Sequence, residues 1–204
     1  RLISGQVIAP CRIGYRTFGA LNDDKSNAVL VPTWYTGTSA DHVYLVSPQL
    51  LNPDKYFIVI VDALANGVSI SPSNSEAQAD GEFPVITITD MVVSQHRLLT
   101  EVLGIQSLHG VVGLSMGGMQ AFEWAVRYPG FTDKTVAARS ESYAMSVGKT
   151  WDQQRQADAM ITHNIARDFG DEMKQAAAKI DTRFLIVVGE DDWIVTPRPA
   201  LDFA

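Results

Sequence analysis

An α/β fold built on a mostly parallel sheet is predicted, on three observations. Short, wholly apolar runs rich in β-branched residues alternate along the chain with helical patterns. Two of those runs, 56–61 (YFIVIV) and 184–188 (FLIVV), show no polar alternation, which is the pattern of strands buried on both faces of a parallel sheet. A Gly-x-Ser-x-Gly turn at residues 113–117 joins an apolar run to a helical one.

Composition sets the outer bounds. The 204 residues suffice for one domain with a sizeable core, and residues 1–204 are expected to form one. With 46% hydrophobic and 19% charged residues, the chain has too little charge and too much apolar content for disorder. A net charge of −7 supplies no basic face, so no nucleic-acid partner is expected. The longest apolar runs fall far short of the roughly 20 residues a membrane span needs, so no membrane partner is expected either. No charged and then apolar leader opens the chain, and the location expected is cytoplasmic. Cys11 is the only cysteine, which excludes an internal disulfide and a cysteine-rich zinc site; no metal is expected. The chain opens at Arg1 and stops at Ala204, so a fragment, or a chain lacking segments, is expected.

The elements follow in order. Residues 12–18 read as an early strand. The run 28–31 ends at Pro32 and leads into the loop Thr33-Trp34-Tyr35-Thr36-Gly37. After the strand 56–61, the stretch 62–84 is rich in Ser, Asn, Gly and Pro and reads as loop. Asp90 is the expected N-cap of a helix over 91–103, with Gly104 as its left-handed C-cap. A strand around Val111 and Val112 precedes the turn 113–118, and a helix follows over 119–127. A helix is expected over 171–180 before the strand 184–188. The polar, weakly periodic stretch 137–168 lies where a cap over the site is expected. The runs 28–31, 56–61, 111–112 and 184–188 are expected as neighbouring parallel strands that carry Tyr35, Ser115 and Asp192 to one edge.

The chemistry concentrates at Gly113-Leu114-Ser115-Met116-Gly117-Gly118. In such a strand-to-helix turn the serine sits on a strained backbone, its Oγ exposed, with the following N–H groups and the helix N-terminus aimed at one point. An oxyanion forming there is stabilised by fixed donors. A dinucleotide-binding turn needs G-x-G-x-x-G, which this spacing excludes. A glycine-rich turn with an incidental serine is the bland alternative, and the flanking strand and helix argue against it. Ser115 is therefore the expected nucleophile of an α/β-hydrolase fold. The second oxyanion donor in that fold comes from the loop after an earlier strand, so the backbone amides of Tyr35 and Met116 are the expected donors.

A carboxylate after the strand 184–188 would lie on the same edge and could orient a histidine. Asp191 and Asp192 both qualify. The chain order of the fold is Ser, Asp, His, and no histidine follows Asp192. Of the four present, His96 lies within a helix and His109 precedes the elbow strand; His42 follows the oxyanion loop and His163 lies in the expected cap. A structural role is the reading favoured for each, and the base is expected beyond Ala204.

The stretch 113–125 (GLSMGGMQAFEWA) resembles the elbow of the homoserine O-acetyltransferase family, and Tyr15-Arg16-Thr17-Phe18-Gly19 with Leu21-Asn22, residues 52–57, and residues 86–90 with Leu98, Leu99 and Leu103-Gly104-Ile105 resemble other parts of it. Thr36 and Gly37 match that family's oxyanion loop. Asp192-Trp193 followed by Pro197 resembles its acid loop, which favours Asp192 over Asp191. The resemblance implies transfer of an acetyl group from acetyl-CoA, through an acyl-Ser115 enzyme, to the hydroxyl of homoserine, a step of methionine biosynthesis. Acetyl-CoA would be a co-substrate, with no permanently bound cofactor, and the partners would be small-molecule acyl donors and acceptors; a homodimer is left open. Two other readings stand beside it. An esterase would pass the same acyl group to water, and a catalytically inactive relative would lack the base while keeping the elbow.

Overall fold

The computed structural model describes residues 1–138 and 150–187. Within them the apolar runs assemble one six-stranded sheet in the order β1-β3-β2-β4-β5-β6. The strands are β1 (Tyr15–Phe18), β2 (Ala28–Pro32), β3 (Phe57–Val61), β4 (Gly110–Leu114), β5 (Lys134–Ala138) and β6 (Arg183–Val187). Only β1 runs antiparallel, against β3; every other pair is parallel. The four expected strands share this sheet and direction, but they are not all neighbours. Strand β5 separates β4 from β6, and sequence reasoning misses it because its KTVAA offers only one β-branched apolar residue between a Lys-Thr start and two alanines. Its last two residues, 137 and 138, are also the first two of the expected cap.

Strands β2 and β3 are buried almost throughout, which their unbroken apolar sequences require. Side-chain alternation sorts them between two clusters. Leu30, Val59, Val61 and Val111 pack with Val92, Leu99, Ala121 and Trp124 on one face. Val29, Val31, Ile58 and Ile60 pack on the other, covered by Leu45, Val46 and Leu51. The first face is the seat of α1 (Ile88–Arg97) and α2 (Met116–Arg127).

Helix α1 starts earlier than its sequence suggests. Thr87 is the N-cap, and Asp90 sits at the third helical position in a capping box. The Thr87 Oγ1 accepts the Asp90 N–H at 3.1 Å, and the Asp90 carboxylate accepts the Thr87 N–H at 2.9 Å. The other Asp90 oxygen accepts the Ile3 N–H at 2.7 Å, which ties down the N-terminal segment. After Arg97 the helix widens into one π turn over Leu98–Val102, and Gly104 takes the expected left-handed geometry at φ +64°.

Helix α3 (Thr150–Ile161) crosses above the loops that follow β2 and β3, inside the stretch expected as a cap. The helix expected over 171–180 is shorter, α4 (Met173–Ala177), preceded by a 3₁₀ turn at Arg167–Phe169. No helix among the described residues is long and apolar enough to cross a membrane.

Candidate active site

Ser115 sits between the last residue of β4 and the first of α2, as the N-cap of that helix, with φ +53° and ψ −122°. That backbone region is strained for any residue with a Cβ. Both flanking glycines are dictated by close approach. A Cβ on Gly113 would lie 2.0 Å from the Gly117 carbonyl oxygen, and one on Gly117 would lie 2.5 Å from that of Pro32. The turn therefore closes only if both positions lack side chains, and α2 begins at Met116 rather than at 119. Met116 holds the first helical position, so its N–H has no acceptor within the helix and forms part of the positive end of the helix dipole.

The loop after β2 is held from several sides. The Thr33 N–H donates to the Val61 carbonyl at 3.1 Å, and the Thr33 Oγ1 accepts the Ala63 N–H at 3.0 Å. The Trp34 N–H donates to His42 Nε2 at 3.3 Å, and the Gly37 N–H closes a turn on the Trp34 carbonyl at 3.1 Å. From beneath, the Gln120 side-chain amide donates to the carbonyls of Thr33 at 3.0 Å and Met116 at 3.3 Å. One buried amide thus joins the two segments that carry the expected donors, Tyr35 and Met116. Gln120 is itself fixed, its Oε1 accepting Gln95 Nε2 at 2.6 Å, while Gln95 Oε1 accepts the indole N–H of Trp124 at 2.9 Å. All three side chains are buried, and each polar end in the relay has a partner.

Sequence reasoning quotes Gln120 within the elbow but gives it no task. The available signal is its place between Met116 and Trp124 at successive four-residue steps, a polar residue on the core-facing stripe of α2. His42 lies near the site without serving as its base. Its Nδ1 bonds the Thr38 carbonyl at 2.9 Å and its ring lies against that of Trp34, tilted by 34° with centroids 3.7 Å apart, so with Nε2 accepting from Trp34 both nitrogens are used. Burial holds its pKa below the ordinary histidine value, and that keeps the acceptor nitrogen unprotonated. The remaining histidines stand elsewhere. His96 stacks on Tyr128 at 4.0 Å. His109 precedes β4, at the opposite edge from Ser115, with Lys134 Nζ 3.0 Å from its Nε2. Burial also lowers the pKa of His163, a shift that Glu123 partly opposes.

Strand register brings Leu114 of β4 level with Ala138 of β5 and Val187 of β6, so the chain leaves β6 at the edge where Ser115 stands. The expected acid, Asp192, and its rival Asp191 lie outside the described residues.

A parallel sheet with a strained serine at the strand-to-helix turn defines a class, and the description "alpha/beta hydrolase fold" matches residues 29–174. The chain belongs to the α/β-hydrolase fold family. Its relatives include both kinds of enzyme the sequence suggests. It is 47% identical over 139 residues to the ethyl acetate hydrolase of Pseudomonas veronii, covering 67% of this chain and 40% of that protein. It is 40% identical over 151 residues to the homoserine O-acetyltransferase of Pelobacter propionicus, covering 63% of this chain and 40% of that protein. Among solved structures it resembles the acetyl esterase MekB with a TM-score of 0.89 at 27% identity, over 99% of this chain and 82% of that one. The matches span about two fifths of the curated relatives' own length.

Proposed function

We propose that the protein is a carboxylic ester hydrolase that removes short acyl groups, acetyl among them, through an acyl-enzyme on Ser115. The observation that carries the reading is the elbow: a serine held at φ +53° on a helix N-terminus, with Gln120 tying that helix to the 33–37 loop. In the reaction the Ser115 Oγ attacks the ester carbonyl carbon and loses its proton to a base. The carbonyl oxygen takes up negative charge and receives hydrogen bonds from the N–H groups of Tyr35 and Met116. Collapse of that intermediate breaks the ester C–O bond, and the alcohol leaves with a proton. Water then attacks the acyl-Ser115, releasing the carboxylic acid and restoring the serine. Asp192 is the proposed acid of the triad. Loss of one oxyanion donor in such a site slows turnover roughly 100- to 1,000-fold.

Water as the acceptor is supported by the relatives. The hydrolase is 47% identical and the acetyltransferase 40%, and the elbow chemistry is common to both. The second reading keeps the same acyl-enzyme but passes the acetyl group from acetyl-CoA to homoserine, and the resemblance across 113–125 supports it. The full-length protein should hydrolyse ethyl acetate and p-nitrophenyl acetate, and homoserine should not accelerate thiol release from acetyl-CoA. Strong acceleration by homoserine would transfer the assignment to the acetyltransferase. A fluorophosphonate should label Ser115 alone by peptide mass spectrometry, and Ser115→Ala should abolish both activities.

A further inference from the structure

Helix α3 presents four side chains at one face, Asp152, Arg155, Gln156 and Ala159, and all four are buried. The first two are anchors. Asp152 accepts the Ser73 N–H at 2.9 Å and the Ser73 hydroxyl at 2.5 Å. Arg155 donates to the carbonyls of Phe83 at 2.9 Å and Gly81 at 3.1 Å. Gln156 differs because it reaches the oxyanion loop. Its Oε1 accepts the Thr36 N–H at 2.7 Å, and its Nε2 donates to the Leu64 carbonyl at 3.2 Å.

Thr36 is a backbone anomaly. The turn Trp34 to Gly37 is closed by a bond from the Gly37 N–H to the Trp34 carbonyl, and Thr36, its third residue, has φ +61° while Tyr35 does not have a positive φ. That is a type II turn, whose third position ordinarily belongs to glycine. A β-branched threonine there is strained, because its Cβ crowds the backbone at positive φ. The strain would be relieved by a type I turn, in which the Tyr35–Thr36 peptide is rotated by about half a turn. Such a flip would swing the Tyr35 carbonyl dipole across the turn that carries the Tyr35 N–H. The Thr36 N–H belongs to the flipping peptide, and its acceptor is Gln156.

We infer that Gln156 is a positioning residue: its bond to Thr36 latches the oxyanion turn in the strained type II form, so α3 controls whether the oxyanion site is assembled. This rests on the reading of Tyr35 as a donor to the oxyanion. The latch acts from the segment expected to cover the substrate, through a fully buried amide with both ends paired.

Two variants of the full-length protein separate this role from simple packing. Gln156→Glu keeps an oxygen acceptor for the Thr36 N–H whether or not its carboxyl is ionised; Gln156→Met, of similar volume, has none. On p-nitrophenyl acetate, kcat should fall roughly 10- to 100-fold in Gln156→Met, below the loss of a whole donor, and stay within about threefold of the parent in Gln156→Glu. KM should change little in either. Adding Thr36→Gly to Gln156→Met should recover most of kcat, because glycine adopts φ +61° without strain. Equal losses in the Glu and Met variants, or no rescue by Thr36→Gly, would overturn the latch. Loss of folded protein in both would overturn it too, since Gln156 would then act on the fold. Ser115→Ala run in parallel keeps the two ideas apart. If Ser115→Ala still turns over, the nucleophile assignment fails; if it is dead while Gln156→Met is fully active, only the latch fails.

Discussion

At the scale of single residues, the site trades stability for geometry, and the trade can be measured. Ser115 at φ +53° and ψ −122° is held where only glycine is comfortable. Ser115→Gly should therefore make the protein more stable by about 1 kcal/mol, the strain relieved exceeding glycine's added unfolded-state entropy. Ser115→Ala, which keeps a Cβ, should leave stability nearly unchanged, and both should be inactive. Urea denaturation of the three proteins checks this, and a Gly variant no more stable than Ala would remove the claim of strain. Gly113→Ala should prevent normal folding, since its Cβ would overlap the Gly117 carbonyl. What the sequence discloses about the site follows from distance along the chain. Ser115 and its two glycines are legible because their constraint is packed into five residues. Gln120 to Thr33 and Gln156 to Thr36 span 87 and 120 residues, and no local pattern marks an amide that will meet so remote a carbonyl or N–H.

At the scale of elements, helix α1 is the most exposed to test. Thr87→Ala removes the N-cap acceptor and should cost about 1 kcal/mol. Asp90→Ala should cost more, roughly 2 kcal/mol, because the same buried carboxylate closes the capping box and receives the Ile3 N–H. Limited proteolysis should then cut the N-terminal segment faster in Asp90→Ala than in Thr87→Ala; equal rates would show that Ile3 gains nothing from Asp90. The helix itself is legible from its apolar spacing, while its start is displaced because Asp is as good an N-cap by type as Thr. Only the three-residue spacing from Thr87 to Asp90 separates the two roles. Strands β2 and β3 are legible because burial on both faces leaves nothing polar in them. Strand β5 is hidden because its neighbours on both sides, not its own sequence, make it a strand.

At the scale of the whole molecule, the histidines give a common pH response. In all four, burial is the largest influence and lowers the pKa from the ordinary 6.5. The sign follows from proton counting. Below about pH 6.5 the unfolded chain takes up protons that the folded chain resists, so the unfolded state binds more of them and stability must fall with falling pH. Above that value both states are neutral and the contribution is fully present. His42 should dominate, because it is wholly buried and its two ring nitrogens serve the loop that carries Tyr35. The bond to the Thr38 carbonyl, Asp41 and Asp62 favour its charged form, but burial outweighs them. Protonation would turn its Nε2 from acceptor to donor opposite the Trp34 N–H, so the loop 33–37 should loosen before the sheet does. Two measurements follow between pH 7.5 and 5.5. The urea midpoint should drop, and turnover of p-nitrophenyl acetate should fall reversibly toward the lower part of that range, where the depressed pKa of folded His42 places its protonation, while the far-ultraviolet circular dichroism is still native. His42→Phe should flatten the stability change across this window, although its loop, lacking the acceptor, should be less active at every pH. A midpoint that holds steady or rises on acidification, or a His42→Phe protein with the parent's full slope, would refute the assignment of that response to His42.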